Sequence, residues 1–281
     1  MAEHCLNLCE ISPALFKLYD SIKRLFEAFE QKNNISPINR LYVGSAFCDL
    51  FFLKSIEPTL EQLFAFCIEN NMKITLSVPI FLQNCINQGK EIVKRVIKHY
   101  GDIIDEISVN DFGMLQFIKD SFPNYKIRIG RLMNKQMRDP RYPDQNNYSL
   151  DDFLKCLPFD SNICGIDLDI LQSNLSVDKN FQKEFIGFHS QLSYITTGNI
   201  CNYKSLTKNI SQKYLLRNGC NMECNKLFLM YTAENGIQYY RIGKTVYFRQ
   251  ENCFFDNSYE FRIIHFPFDL WEEQYEYFGA N

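Results

Sequence analysis

Three cysteines stand in the polar stretch CNYKSLTKNISQKYLLRNGCNMEC, residues 201 to 224. Cys220 and Cys224 are four residues apart, and on a helical turn that spacing puts both sulfurs on one face, where one ion or cluster can bridge them. Cys201 is a single, well upstream of the pair. With a fourth thiolate such a set takes either a structural zinc ion or an iron–sulfur cluster. Plain packing competes with this reading, since free cysteine is among the most buried residue types. Cys67, Cys85, Cys156, Cys164 and Cys253 lie in apolar patterns that suit packing, and Cys5 and Cys9 repeat the four-residue spacing with no further partners beside them. The Asn, Lys and Glu residues around Cys220 and Cys224 do not suit an apolar core, which sets that pair apart.

These thiols need a scaffold, and the chain offers alternating strands and helices. Ser12 before Pro13 reads as a helix start, with Leu15, Leu18, Tyr19, Ile22, Leu25, Phe26 and Phe29 at helical spacing behind it. Strands are expected at 40–44, 73–79, 104–110, 126–130, 164–170 and 184–188, and helices at 58–71, 89–101, 113–122 and 150–157. Short β-rich runs separated by helices imply parallel βαβ units with right-handed crossovers. About six such units in succession favour an α/β fold of the TIM-like (β/α) barrel type, complete or incomplete, over an open doubly wound sheet.

After Cys224 the pattern changes. LFLMYT (227–232) and IQYYRI (237–242) flank Asn235-Gly236, a strong hairpin signal, and TVYFRQ and FRIIHFPF follow as strands. One domain, 1–281, is expected: a barrel-like part with its N-terminal helix over 1–224 and a β-rich C-terminal extension over 225–281. The extension ends in an aromatic tail with Trp271, Tyr275 and Phe278.

In a barrel the functional face lies at the C-terminal ends of the strands. Cys48 falls four residues beyond the strand at 40–44, and Cys201 follows the last expected barrel strand, so Cys48 is the candidate fourth ligand. One C-x-x-x-C pair with two distant singles is less typical of zinc, which usually takes two close C-x-x-C pairs. On spacing, an iron–sulfur cluster, a zinc ion and no metal all remain open.

Bulk composition excludes little. At 281 residues, 46% apolar and 22% charged, the chain has the profile of an ordinary globular protein. A net charge of −3 gives no global basic field, although a local basic pocket can still hold nucleic acid. No apolar run approaches the ~20 residues of a membrane span. The start MAEHCLNLCEIS lacks the basic and apolar regions of a secretory signal, so a cytoplasmic location is expected. In that reducing compartment a cysteine cluster is better explained by metal than by disulfides.

LYVG, DEISVNDFGML, FPNYKIRIGRLMN and LRNGCNMEC, in this order, resemble the collagenase-like peptidase family, and within it the UbiU/UbiV type of iron–sulfur proteins. The resemblance covers roughly residues 39 to 250. It implies that Cys48, Cys201, Cys220 and Cys224 together hold a 4Fe–4S cluster. It further implies a subunit of an oxygen-independent hydroxylation system for ubiquinone biosynthesis, paired as a heterodimer with a homologous UbiU-like subunit and acting on a small aromatic substrate, lipid-linked in that pathway. Relatives hydroxylate RNA bases, which makes a paralogue with another substrate the alternative, beside a zinc-stabilised scaffold. The chain departs from the family in Asn199-Ile200 before Cys201, Ser45 after Gly44, Asp49-Leu50 after Cys48 and the run HSQLSYITTG. These changes leave the four cysteines in place and alter the residues around them.

Further candidates are single residues. Asp111, at the end of the strand at 104–110, is a candidate catalytic group or a helix cap. His189 is a candidate general base or a hydrogen-bonded structural histidine. Asn134, Arg131 and Arg138 are candidate substrate contacts at the same mouth, the arginines suiting a carboxylate or phosphate or simply a solvated loop. No Ser/His/Asp or HExxH pattern supports peptidase activity.

Overall fold

The computed structural model describes residues 3–11, 22–35, 37–134, 162–169, 186–205, 208–213, 215, 219–225, 229–234, 236–249 and 261–267. Eight parallel strands close a barrel: β1 (Glu3–Asn7), β2 (Ile38–Gly44), β3 (Lys73–Val78), β4 (Ile104–Val109), β5 (Lys126–Ile129), β6 (Ile163–Asp169), β7 (Ile186–Ser190) and a last strand, β12 (Arg262–His265). Around the ring they run β1-β12-β7-β6-β5-β4-β3-β2. Between β7 and β12 the chain forms a second sheet from β8 (Leu192–Thr197), β9 (Leu229–Thr232), β10 (Gln238–Ile242) and β11 (Thr245–Arg249), antiparallel in the order β8-β11-β10-β9. The helices are α1 (Ile22–Asn33), α2 (Asp49–Glu69), α3 (Ile86–Tyr100), α4 (Phe112–Ser121) and a single turn, α5 (Ile210–Lys213). The expected helix at 150–157, the first part of the N-terminal helix and the aromatic tail lie outside the described residues.

The fold is therefore the expected TIM-like barrel, closed, with an added β-sheet. Three placements differ from the sequence reading. A strand opens the barrel at 3–7, where the segment carrying Cys5 had no expected element, so the strand at 40–44 is second in the ring. FRIIHFPF, expected within a β-rich extension, supplies the eighth barrel strand β12, hydrogen-bonded between β1 and β7. HSQLSYITTG contains β8, which leaves the barrel directly after β7 through Gln191 at φ +70°. The small sheet is thus an insertion between the seventh and eighth strands.

Strand alternation explains the two sides of the barrel wall. Leu41, Val43, Ile74, Leu76, Ile107, Val109, Ile127, Ile129, Ile166 and Leu168 face outward into one continuous apolar core with the helices. The alternate positions face the lumen and are polar, unlike the branched aliphatic layers usual in such barrels. Arg262 of β12 donates from Nη1 to Glu106 Oε2 (2.7 Å) and from Nη2 to Glu106 Oε1 (3.1 Å) on β4, four strands away around the ring. These bonds cross the lumen. Arg262 Nε and Arg40 Nε donate to the two oxygens of Glu3, and Arg128 Nε donates to Asp167 Oδ1 (2.9 Å). Three arginines thus meet three carboxylates inside the barrel, a buried network that holds only while every partner is present.

α2 begins nine residues before the expected start at Pro58, because Phe51, Phe52, Ser55 and Ile56 continue its buried face toward the N-terminus. Pro58 lies inside the helix. This places Cys48 at the N-cap of α2, on the C-terminal rim of the barrel.

Candidate functional site

Cys48 is presented by a tight turn between β2 and α2. Gly44 enters it at φ +120°, and a Cβ there would stand 2.3 Å from the Ser77 carbonyl oxygen, so only glycine fits. Ser45 Oγ accepts from the backbone N–H of Cys48 (2.7 Å) and of Phe47 (3.2 Å). Ser45 Oγ in turn donates to Glu10 Oε1 (2.9 Å), which also accepts from Phe47 N (3.0 Å), while Glu10 Oε2 accepts from Tyr247 Oη (2.9 Å). One carboxylate therefore joins the end of β1, the Cys48 turn and β11. Glu10 holds φ +64°, a left-handed conformation uncommon outside glycine.

The other three cysteines come from the segment between β8 and β9. Met222 N–H lies 3.4 Å from Cys220 Sγ, and Met222 takes φ +61°. Cys224 sits in a 3₁₀ turn, Glu223–Asn225. The pair thus brackets an irregular turn, where the sequence reading placed it on one face of a helical turn. Lys54 of α2 donates to the Cys220 carbonyl, which ties the segment to the barrel rim, and Lys208 donates to the Gly219 carbonyl (2.7 Å) within the segment. Tyr203, buried, accepts from Leu229 N–H (2.9 Å) and donates to the Arg241 carbonyl.

Cys48 and Cys224 line one cavity, together with Glu10, Phe51, Ile242 and Lys244. Burial raises the Cys224 thiol, and negative charge at Cys48, Cys220 and Cys201 acts in the same direction. Burial pushes the Cys48 thiol up to about 12, against the pull of the nearby Lys244 ammonium. That ammonium is 3.5 Å from Asp49 Oδ1. Cys220 is raised by burial as well. All four are free thiols. Among the described residues no group of three or more His, Cys, Asp or Glu side chains stands in metal-ligating geometry. By donor chemistry the set suits a metal or cluster held entirely by sulfur: four free thiols from two separate segments, of which Cys48, Cys220 and Cys224 have raised pKa values, so that a bound cation would have to draw off their protons.

A second cavity opens at the barrel mouth beside the first, partly open to solvent and with free room for about one water molecule. Glu10 forms part of the wall of both. Arg131 lines the mouth but is engaged: it donates to both oxygens of Asp169 and from Nη2 to the Leu192 carbonyl (2.9 Å). The rings of Phe47, Tyr194 and Tyr247 surround its guanidinium at 5.4 to 5.9 Å from their centroids. Asp167 Oδ1 takes Arg128 and Tyr42 Oη (3.1 Å), and Oδ2 takes Ser108 Oγ (3.1 Å).

His189 lines this mouth, buried, with its ring 5.9 Å edge-on from Tyr42. Burial, and then the charges of Arg131 and Arg128, push its pKa well below the usual histidine value. Asn134 is buried and donates to the Asp167 carbonyl (2.6 Å). Asp111 caps α4, accepting from Met114 N–H (2.9 Å), with its carboxyl raised by burial. Arg138 lies outside the described residues. Sequence reasoning missed Glu10, Lys244 and Tyr247. They carry no spacing signal: Glu10 lies in the turn after β1, and Lys244 and Tyr247 lie in the β10–β11 turn and on β11, which the insertion between β7 and β12 brings to Cys48.

The chain is thus a closed TIM-like barrel of eight parallel strands with an inserted antiparallel sheet; three cysteines lie between β8 and β9, and one of them, Cys224, shares a cavity with Cys48. Comparison with family models, with curated proteins and with solved structures finds no match to it.

Proposed function

We propose that Cys48, Cys201, Cys220 and Cys224 hold a 4Fe–4S cluster, and that the chain is a UbiV-like subunit of an oxygen-independent hydroxylation system, working with a homologous UbiU-like subunit in ubiquinone biosynthesis. The observation that carries the cluster reading is that Cys48 and Cys224, more than 150 residues apart in the chain, line one cavity, with the Cys220 backbone bonded to Lys54 of the same rim. The hydroxylation role rests on the sequence resemblance. When bound, an all-thiolate cluster supplies single-electron transfer, at a potential set by its hydrogen bonds and burial. The residues around it do the rest. Ser45 and Glu10 fix the Cys48 turn, Lys54 holds the Cys220 backbone, and Ile242 and Phe51 line the cavity beside the sulfurs and limit water there.

Protein purified without air and supplied with iron and sulfide should bind both and absorb visible light, and Cys48→Ala and Cys224→Ala should lose the colour. A wild type that binds neither iron nor sulfide refutes the cluster. A colourless protein with one tightly held zinc ion establishes the scaffold reading in its place.

A further inference from the structure

We propose that β9 is the seam of a symmetric dimer, in which two copies of this chain pair their β9 strands antiparallel and join their small sheets into one. β9 ends the order β8-β11-β10-β9 and, among the described residues, is paired only on its β10 side. Two contacts settle which of its backbone groups face outward. Ala233 N–H donates to the Ile237 carbonyl (2.9 Å). Leu229 N–H donates to Tyr203 Oη (2.9 Å), which donates onward to the carbonyl of Arg241, the residue opposite Leu229 in β10. Residues 229, 231 and 233 therefore turn their backbone groups toward β10, and Met230 and Thr232 turn theirs to the open edge.

The side chains along this edge are apolar and uncovered. All four residues of β9 are exposed, Leu229 at 45%, Met230 at 52% and Tyr231 at 45%. Sheet edges are usually guarded by lysine, proline, a bulge or an inward charge, and LMYT carries none of these. An edge of this kind recruits further chains unless the pairing closes, and a two-fold axis closes it, because each copy uses up the edge of the other. The outward groups fit such an axis. With Tyr231 opposite Tyr231 of the second copy, Met230 faces Thr232 of the second copy, and the two exchange both ladder bonds on each side of the axis. With Met230 on the axis instead, Thr232 would fall opposite position 228, beyond the strand. In the first register Leu229 meets Ala233, so no like charges oppose one another along the seam. Tyr231 already stacks on Tyr239 of β10, with centroids 5.3 Å apart and planes 20° from parallel. Pairing extends this stack into a row of four tyrosines across the axis.

Sedimentation of the full chain in reducing buffer, from about 10 to about 500 µM, should show a reversible monomer–dimer equilibrium, weak because a seam of two four-residue strands is small. Tyr231→Lys sets two ammonium groups face to face on the axis and should raise the dimer Kd at least about tenfold. Tyr231→Cys, oxidised with glutathione disulfide, should give a dimer linked from 231 to 231, identified by peptide mass spectrometry, whereas Met230→Cys should not link to itself. A monomer at every concentration overturns the inference and leaves the edge to a strand of another protein. A dimer that Tyr231→Lys leaves intact overturns it also, as does Met230→Cys linking as readily as Tyr231→Cys. If Tyr231→Lys does not fold, the two cysteine variants still decide the matter. The seam includes none of the four cysteines, so this inference goes beyond the cluster reading and the two fail separately.

Discussion

Replacing Glu10 tests whether the Cys48 turn is held by the carboxylate beneath it. Glu10→Ala strands the Ser45 hydroxyl and the Tyr247 hydroxyl, while Phe47 N–H keeps a second acceptor in Ser45 Oγ at 3.2 Å. Two donors left without partners cost about 1–3 kcal/mol each, so a loss of about 2–6 kcal/mol in unfolding free energy is expected. Alanine keeps the positive φ and offsets none of this; glycine at the same position would recover about 1 kcal/mol of backbone strain. Glu10→Gln retains an acceptor for Ser45 and Phe47 and can donate to the Tyr247 oxygen, so it should stay within about 1 kcal/mol of wild type. Burial raises the Glu10 carboxyl pKa. A pKa raised on folding favours the folded state below the unfolded value and loses that contribution as pH rises through the folded one, so Gln should gain on wild type with rising pH. Urea unfolding gives the energies, and the alkylation rate of Cys48, read by mass spectrometry, reports whether the turn has loosened. Equal stability of Glu10→Ala and wild type, or a Gln variant as damaged as Ala, refutes the reasoning.

Other outcomes follow from the same structure. Arg262→Met should cost about 3–5 kcal/mol in chemical unfolding, because it leaves Glu106 and Glu3 charged in the lumen, and a neutral result would mean that the lumen is hydrated. Gly44→Ala should cost more than about 2 kcal/mol, because its methyl would drive into the Ser77 carbonyl at a positive φ, and it should loosen Cys48 as Glu10→Ala does; a wild-type melting curve refutes it. His265, buried against His4, is pushed down to about 3. The unfolded chain binds a proton there from about pH 6.5 downward while the folded one does not, so stability should fall by up to about 1.4 kcal/mol per unit between those values. His265→Phe should flatten that slope in a urea series from pH 7 to pH 4.5, and an unchanged slope rules the histidine out.

Much of the barrel was legible because period-two apolar runs mark an outer wall that packs on helices. The strands at 73–78, 104–109 and 126–129 carry that mark, and each lies within a residue of its expected bounds. β1 was not legible: EHCLN has five residues, and three of them, Glu3, Cys5 and Asn7, face a polar lumen. The same polarity disguised β12, since Arg262 looks like a surface residue until Glu106 and Glu3 are seen opposite it. The cysteine pair was visible as a spacing, but its irregular turn was not, because it depends on Met222 adopting a left-handed backbone. Glu10 could not be found from the sequence, because its partners Ser45 and Tyr247 are 35 and 237 residues away.

The position of the inserted sheet has a kinetic consequence. β12 pairs with β1 in the register Glu3↔Arg262, across almost the whole described chain, so this is the seam that closes the ring. Contacts of such separation form late and slowly. Until then β1 and β7 are open edges, able to pair wrongly with other chains. The cysteine-bearing segment precedes β12 and is synthesised while the ring is still open. Metal supplied at that stage would reach the thiols before the barrel closes. Refolding with metal present from the start should then give more soluble protein than adding it afterwards.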